Sequence, residues 1–197
     1  MPRRPRISQP DSIHHITSHG VDTRALFSDD LDRGRFVNLL AALARVHDWR
    51  CLSFCLMTTH YHLLVEERHA PLSKAMHLLN SRYSWHINTR FKRRGHVFEG
   101  RYHDQIVTGE AHLFGAVRYI ARNACDAGMC DTPEEWRWSS YPALIGLAPA
   151  WTFIDSARVL SLFGQERGRA IERVREFVDK VPGTVPGTLV TPDATRR

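Results

Sequence analysis

The stretch of this chain with the clearest capacity for chemistry carries two histidines two residues apart. His60 and His62 lie in the run 56–65, which has the length and composition of a β-strand. Because successive side chains on a strand alternate between its faces, both imidazoles point to one side and Tyr61 points to the other. Two imidazoles held side by side on a strand can form half of a metal site. Taken alone, the pattern also fits one surface histidine beside one buried histidine.

A second candidate group lies on an amphipathic helix that begins after Thr108. The apolar side chains of this helix fall within one arc about 120° wide, at about 100° per residue. Tyr119 lies on roughly the opposite side of that arc, and Asn123 follows one turn later on the same face, with His112 and Ala116. A tyrosine used only for packing would lie within the arc, although a surface tyrosine remains the alternative. The arc consists of Leu113, Phe114, Val117, Ile120 and Ala121.

Together, the two groups predict metal-assisted chemistry on a phosphodiester. His60, His62 and the amide oxygen of Asn123 are neutral ligands, so they leave the charge of a bound cation available to a phosphate oxygen. The phenolate of Tyr119 can then attack the phosphorus and form a covalent intermediate. Such an intermediate preserves the energy of the phosphodiester, so that the DNA can be rejoined. A hydrolase would need only an activated water.

The charge of the chain favours nucleic acid as a partner. The net charge is +6 and the pI is about 9.5, and a basic surface attracts polyanions. Many of the cations fall within residues 82–101, interleaved with aromatic side chains that could stack on bases. A solvated helix end and loop is the alternative. The predicted DNA contacts are Arg90, Lys92, Arg93, Arg94 and Arg101, with Arg3 and Arg4 on a flexible basic arm at residues 1–11.

The hydrophobic periodicity predicts an α+β fold over residues 12–147. The predicted order is strand, helix, strand, strand, helix, strand, helix, which is typical of a ferredoxin-like or RRM-like antiparallel sheet with helices on one face. Residues 148–181 are predicted to form a short helical extension. Residues 182–197 are rich in Pro, Gly and Thr and are expected to be disordered.

The cysteines and the apolar runs indicate a cytoplasmic protein with no membrane partner. Cys51 and Cys55 are four apart on a predicted strand, too far apart for a disulfide. Cys125 and Cys130 lack the spacing of a zinc ribbon, so all four are expected to be reduced thiols. No apolar run approaches the roughly 20 residues of a membrane span. The basic N-terminus is not followed by the apolar segment of a signal peptide.

Several short segments, taken in order, resemble the single-tyrosine transposases of the HUH superfamily, and within them the REP-associated tyrosine transposases. The resemblance extends over about residues 12–147, and one departure is Thr59, where the family often has asparagine before the first histidine. The matching segments are 15–17, 56–65, 72–76, 95–102, 118–123 and 138–141.

The resemblance implies a role for each candidate residue. His60 and His62 match the metal-binding histidine pair of the family, Tyr119 matches its nucleophile, and Asn123 matches the polar residue that completes the metal site. The implied activity is that of a metal-dependent DNA nickase and strand transferase, acting on single-stranded or hairpin DNA such as REP-like palindromes through a 5′-phosphotyrosine. The implied cofactor is Mg²⁺ or Mn²⁺, and two imidazoles favour Mn²⁺ somewhat. The implied oligomeric state is a monomer or a homodimer.

Two other functions compete with this interpretation. A non-catalytic nucleic-acid-binding module could share the ferredoxin-like fold, but it would leave the convergence of Tyr119 with the histidines unexplained. A metal-dependent hydrolase would give Tyr119 no role. Covalent attachment of DNA to Tyr119 separates all three functions.

Overall fold

The computed structural model describes residues 11–68 and 70–180. The predicted DNA contacts Arg3 and Arg4 and the predicted tail 182–197 lie outside the described residues. Within the described part the chain forms four strands and six helices. The strands are β1 Ile13–His19, β2 Arg50–Leu56, β3 His60–Glu66 and β4 His103–Val107, and the helices are α1 Asp30–Val46, α2 Leu72–Arg90, α3 Gly109–Asp126, α4 Tyr141–Leu144, α5 Ser156–Ser161 and α6 Arg167–Asp179.

The strands form one antiparallel sheet in the order β2-β3-β1-β4. Because α1 connects β1 to β2 while β3 lies between them, the topology is ferredoxin-like, as predicted. The register of β1 on β3 places Thr17 opposite His62 and His19 opposite His60. Directly opposed residues share a face of the sheet, so the two histidines of β3 meet a second set of polar side chains on β1.

One face of the sheet is covered by α1 and α2. Helix α1 begins where the side chain of Asp29 accepts a hydrogen bond of 3.1 Å from the backbone N–H of Asp32, an N-cap that satisfies one free donor of the first turn. The ring of Phe36 on this helix packs against Tyr61 of β3 with centroids 4.7 Å apart, and against Tyr83 of α2 with centroids 5.1 Å apart. This core fixes β3 with Tyr61 inward, and therefore turns the neighbouring histidines to the other face.

The α+β class and the antiparallel sheet are confirmed, but the helices do not all lie on one face as predicted. Helix α3 covers the second face, where Ile120 belongs to the same buried cluster as Cys55 and Leu64 of the sheet. The physical reason lies in the apolar run 63–65 of β3. Side chains in a strand alternate, so a continuous apolar run makes both faces apolar, and each face needs a covering layer.

The C-terminal helices add to this second core. Val159 of α5 and Val174 of α6 are buried in the cluster that contains α3. Helices α5 and α6 lie within the predicted extension 148–181, whereas α4 was not predicted. None of the helices in the described part is both long and apolar enough to span a membrane. The four cysteines are free thiols, as predicted.

Candidate active site

The imidazole of His62 lies under α3 in the interior of the sheet. Its residue is only 2% exposed. The ring of Tyr119 meets it almost perpendicularly, at 89°, with centroids 5.2 Å apart. His60 lies next along the same face of β3, with its ring centroid 5.0 Å from that of His62. The tertiary structure therefore brings together three side chains that the sequence separates by up to 59 positions.

Asn123 joins the strand to the helix. Its side chain contacts both the ring of His60 and the phenol of Tyr119. This bridging position follows from helix geometry, because a residue four positions after Tyr119 projects from the same face one turn later. All four residues that the sequence singled out as catalytic or metal-binding thus lie in one site.

The orientation of α3 differs from the predicted one. Ala116 was expected on the exposed face beside Tyr119, yet it is fully buried, and Tyr119 is partly buried rather than exposed. The buried face of α3 is therefore wider on the side of Tyr119 than the apolar arc predicted. At its edge the helix contacts the imidazoles of the sheet. Tyr119 packs partly against the second core, so its ring is held in place while its polar edge faces the site.

Two β1 residues that contact His62 fall in the matching segment 15–17 but had no assigned role. The Nε2 atom of His15 lies 3.1 Å from Nδ1 of His62, and the hydroxyl of Thr17 lies at the same distance from that nitrogen. Both residues belong to the set on β1 that alternates with period two. That alternation indicates that His15 and Thr17 share a face of β1. It does not show that β1 lies next to β3 in the sheet.

His60 likewise has two neighbours that had no assigned role. The ring of His19 stacks on it with centroids 4.8 Å apart and planes 20° apart. The hydroxyl of Thr59 lies 3.1 Å from Nδ1 of His60, so the threonine that departs from the family pattern still supplies a polar contact to the first histidine. Both histidines of β3 are thus oriented through Nδ1.

Burial keeps these imidazoles neutral. The pKa of His60 is lowered to about 4, mainly by burial and also by nearby His19, while the contact with Asn123 opposes the shift. Burial also lowers the pKa of His62 well below its usual value, and the neighbouring imidazoles add to the effect. A neutral imidazole has a lone pair that can bind a cation, whereas a protonated one does not. The site therefore presents neutral ligands at neutral pH.

The phenol of Tyr119 is protonated in the free protein. Burial raises its pKa, and the contact with Asn123 acts in the opposite direction. Positive charge brought close to the phenolic oxygen would favour the phenolate. The residues around Tyr119 thus orient the phenol without ionising it.

The residues present fit a divalent cation. The Nε2 atom of His62 is buried and has no hydrogen-bond partner among the described residues, although buried polar atoms are normally satisfied. A metal ion would satisfy it. No group of three or more His, Cys, Asp or Glu side chains within the described ranges could hold a metal. A site here therefore needs an amide ligand, and Asn123 is in place to provide it.

Comparison with known proteins identifies the family. A family model described as "Transposase IS200 like" matches residues 9–123. The chain belongs to this family. The matched segment runs through the sheet to Asn123 and so contains all four site residues. The predicted resemblance to transposases is confirmed, and with it a transposase-like function in DNA processing. No curated protein matches the chain.

The solved structure of a REP-associated tyrosine transposase bound to a REP hairpin shares the fold of this chain. The TM-score is 0.63 at 13% sequence identity, over 76% of this chain and 89% of that one. A tRNA(His) guanylyltransferase from Saccharomyces cerevisiae is also similar, at 11% identity over 89% of this chain and 82% of that one. Its TM-score of 0.45 supports no conclusion.

The basic segment at residues 82–101 runs past the site. Lys92, Arg94 and Arg101 are exposed, and the chain between them runs along the end of β1. There the backbone N–H of Glu99 donates a hydrogen bond of 3.0 Å to the carbonyl of His19. Since His19 stacks on His60, the segment is tied to the strand end that carries the first histidine.

Arg90 makes contacts within the fold that the sequence did not predict. Its guanidinium pairs with the carboxylates of both Asp29 and Asp32, and its charge lies 4.9 Å from the ring centroid of Phe91. These contacts join the end of α2 to the start of α1. Because two carboxylates already balance the charge of this guanidinium, it adds less to the positive surface than the exposed cations that follow it, and its DNA contact stays a prediction.

Proposed function

We propose that this protein nicks and rejoins single-stranded or hairpin DNA through a covalent link to Tyr119. The observation that carries the proposal is the contact of the Tyr119 ring with His62, together with the position of Asn123 between Tyr119 and His60. Membership in the transposase family supports action on DNA. A nucleic-acid-binding module without chemistry would have no use for a phenol held against buried imidazoles.

In the proposed step the phenolic oxygen of Tyr119 attacks the phosphorus of a phosphodiester. A bond forms between that oxygen and phosphorus, and the bond from phosphorus to the 3′ oxygen breaks. The phenol loses its proton and the departing 3′ oxygen gains one, so the products are a 5′-phosphotyrosine and a 3′-hydroxyl. Attack by that hydroxyl, or by another, reverses the step and rejoins the strand.

We further propose His60, His62 and Asn123 as ligands of Mg²⁺ or Mn²⁺. A bound cation of this kind polarises a phosphate oxygen and orients the phosphodiester. The protein residues supply the neutral ligands and hold the nucleophile in place. The imidazoles stay neutral because they are buried, and α3 holds the phenol of Tyr119 against them.

We propose a REP-like hairpin as the DNA substrate. The structurally similar REP-associated transposase is bound to a REP hairpin. In this chain residues 68–98 contain no Asp or Glu, so no carboxylate within that segment opposes a DNA backbone. The exposed side chains of Lys92, Arg94 and Arg101 add positive charge to this part of the surface, up to the edge of the site.

The position of a label tests both the linkage and its polarity. A hairpin oligonucleotide labelled at its 3′ end should yield a labelled protein band on a denaturing gel in the presence of Mn²⁺. The same oligonucleotide labelled at its 5′ end should yield only a shortened free fragment, because the 5′ side leaves with the 3′-hydroxyl. A labelled band with the 5′ label alone would reverse the polarity, and the absence of a band with either label would favour the binding module.

Loss of the basic segment should weaken DNA binding without changing sequence preference. We expect the triple variant Lys92→Asn, Arg93→Ala and Arg94→Ala to bind cognate and scrambled hairpins more weakly by similar factors, because phosphate contacts carry little sequence information. Asparagine is used at position 92 because φ there is 49°, in the left-handed region that asparagine adopts more readily than alanine. The slope of log affinity against log salt should decrease by about 2, at about 0.7 per lost contact on a single strand.

A matched control removes the same charge elsewhere. Arg45, Arg167 and Arg169 are exposed and lie on other helices, so their replacement with alanine lowers the net charge equally. Affinity titrations over a salt series should give this control the slope of the unmodified protein. Equal slopes for both triple variants would show that the effect is one of total charge and that the DNA path runs elsewhere.

A further inference from the structure

One buried contact in the site has no role in the proposed reaction. His15 is 5% exposed, and its Nε2 atom lies 3.1 Å from Nδ1 of His62. The hydroxyl of Thr17 lies 3.1 Å from the same Nδ1. The ring of Tyr119 also rests on His15, with centroids 5.8 Å apart at 67°. His15 therefore touches a proposed metal ligand and the proposed nucleophile at once.

The contact between the two imidazoles restricts where their hydrogens lie. Both rings are almost fully buried, with His15 5% exposed and His62 2% exposed, and burial disfavours the charged form of an imidazole. A neutral imidazole carries one N–H donor and one acceptor nitrogen. One ring must therefore donate along the 3.1 Å contact while the other accepts.

The two possible arrangements differ at Nε2 of His62. If His15 donates, the hydrogen of His62 lies on Nε2, where it is buried without a partner among the described residues. If His62 donates from Nδ1, its Nε2 instead carries a lone pair that points into the site. Only the second arrangement lets His62 bind a cation without first moving a hydrogen.

We infer that His15 is a positioning residue that, with Thr17, accepts the Nδ1 hydrogen of His62 and so fixes the tautomer whose Nε2 lone pair faces the site. The inference rests on the proposed function, because it gives His62 its role as a ligand. Histidines that bind metals usually donate their second ring N–H to a neighbouring acceptor. Here the acceptor is a third histidine, contributed by the adjacent strand β1.

The tautomer can be observed in the protein without metal. A long-range ¹H–¹⁵N correlation spectrum of the ¹⁵N-labelled protein should show the hydrogen of His62 on Nδ1, with its signals assigned by their loss in His62→Gln. In His15→Phe, which retains a ring but no acceptor, a population with the hydrogen on Nε2 should appear. A wild-type His62 with its hydrogen on Nε2 would overturn the inference, whatever the metal affinity.

Metal affinity provides a second readout. We expect His15→Phe to weaken Mn²⁺ binding, followed by electron paramagnetic resonance, by about 10-fold. His15→Phe combined with Thr17→Val should lose more, approaching about 100-fold, because Thr17 still accepts in the single variant. His15→Gln should recover most of the affinity, since its amide oxygen can occupy the place of Nε2. Unchanged affinity in the double variant would overturn the inference.

Two comparisons separate this inference from a structural effect and from failure of the proposed function. His103→Phe removes an exposed imidazole of β4 that lies opposite Thr17 and should leave Mn²⁺ affinity unchanged. If His15→Phe unfolds, the tautomer of His62 in the wild-type protein and the Mn²⁺ affinity of His15→Gln still test the inference. If His60→Ala and His62→Gln bind Mn²⁺ like wild type, the proposed metal site is wrong. If those two variants lose Mn²⁺ binding while substitution of His15 leaves it unchanged, only the role of His15 is refuted.

Discussion

Replacing Tyr119 with phenylalanine should abolish covalent attachment of DNA to the protein. The substitution removes the attacking oxygen, and adduct formation should fall by about 10³-fold or more, as expected for loss of a nucleophile. The phenylalanine ring can keep its perpendicular contact with His62 and its packing against the second core. Folding and hairpin affinity should therefore stay within a few-fold of wild type. Gels with 3′-labelled oligonucleotide and a binding titration measure the two effects.

Tyr141→Phe is the matched control for this experiment. Tyr141 is buried, and its hydroxyl has no hydrogen-bond partner within the described part of the chain. The same chemical change there should leave adduct formation intact. An adduct that persists in Tyr119→Phe would exclude Tyr119 as the nucleophile, and peptide mapping of that adduct would identify the residue that takes its place.

Loss of either histidine on β3 should remove metal-dependent cleavage. We expect His60→Ala and His62→Ala to weaken Mn²⁺ binding by more than the roughly 10- to 100-fold that loss of an outer-shell partner costs. Cleavage should disappear with it. The two variants differ in stability, because His60 is only partly buried whereas His62 is buried under α3. Alanine at position 62 opens a cavity and should destabilise the fold by about 1–3 kcal/mol.

Because the two variants are expected to differ in stability, loss of cleavage must be distinguished from unfolding at each position. His62→Gln fills more of the space than alanine and is the preferred variant at that position. His77→Ala removes an exposed histidine of α2 on the opposite face of the sheet, and should keep both metal binding and cleavage. Thermal unfolding shows whether each variant is folded at the assay temperature. Normal metal-dependent cleavage by a folded His60→Ala or His62→Gln variant would refute the assignment of the pair.

The local patterns of the sequence predicted the elements of the fold well. Period-two alternation placed both histidines on one face of β3, and the helical period placed Asn123 beside Tyr119. These predictions succeed because each depends on the geometry of a single element.

The predictions that failed depended on contacts between elements. The apolar arc of α3 did not show that Ala116 would be buried, because that depends on which sheet side chains lie beneath the helix. The charge of Arg90 gave no sign of its carboxylate partners, Asp29 and Asp32, which lie about 60 positions earlier in the chain. A cation chosen for its sequence context alone can thus also pair within the fold.

The sequence by itself determined most of the secondary structure, the family and the four residues proposed for chemistry. Only the tertiary structure decided that His15 and His62, 47 positions apart, share a hydrogen bond, and that Thr17 joins them. The reason is that strand register is set by the packing of whole faces against their covering helices, and a shift by one residue would turn every side chain of the strand to the opposite face. The periodicity of each strand fixes which of its side chains lie together, whereas the sheet fixes which side chains of a neighbouring strand they meet.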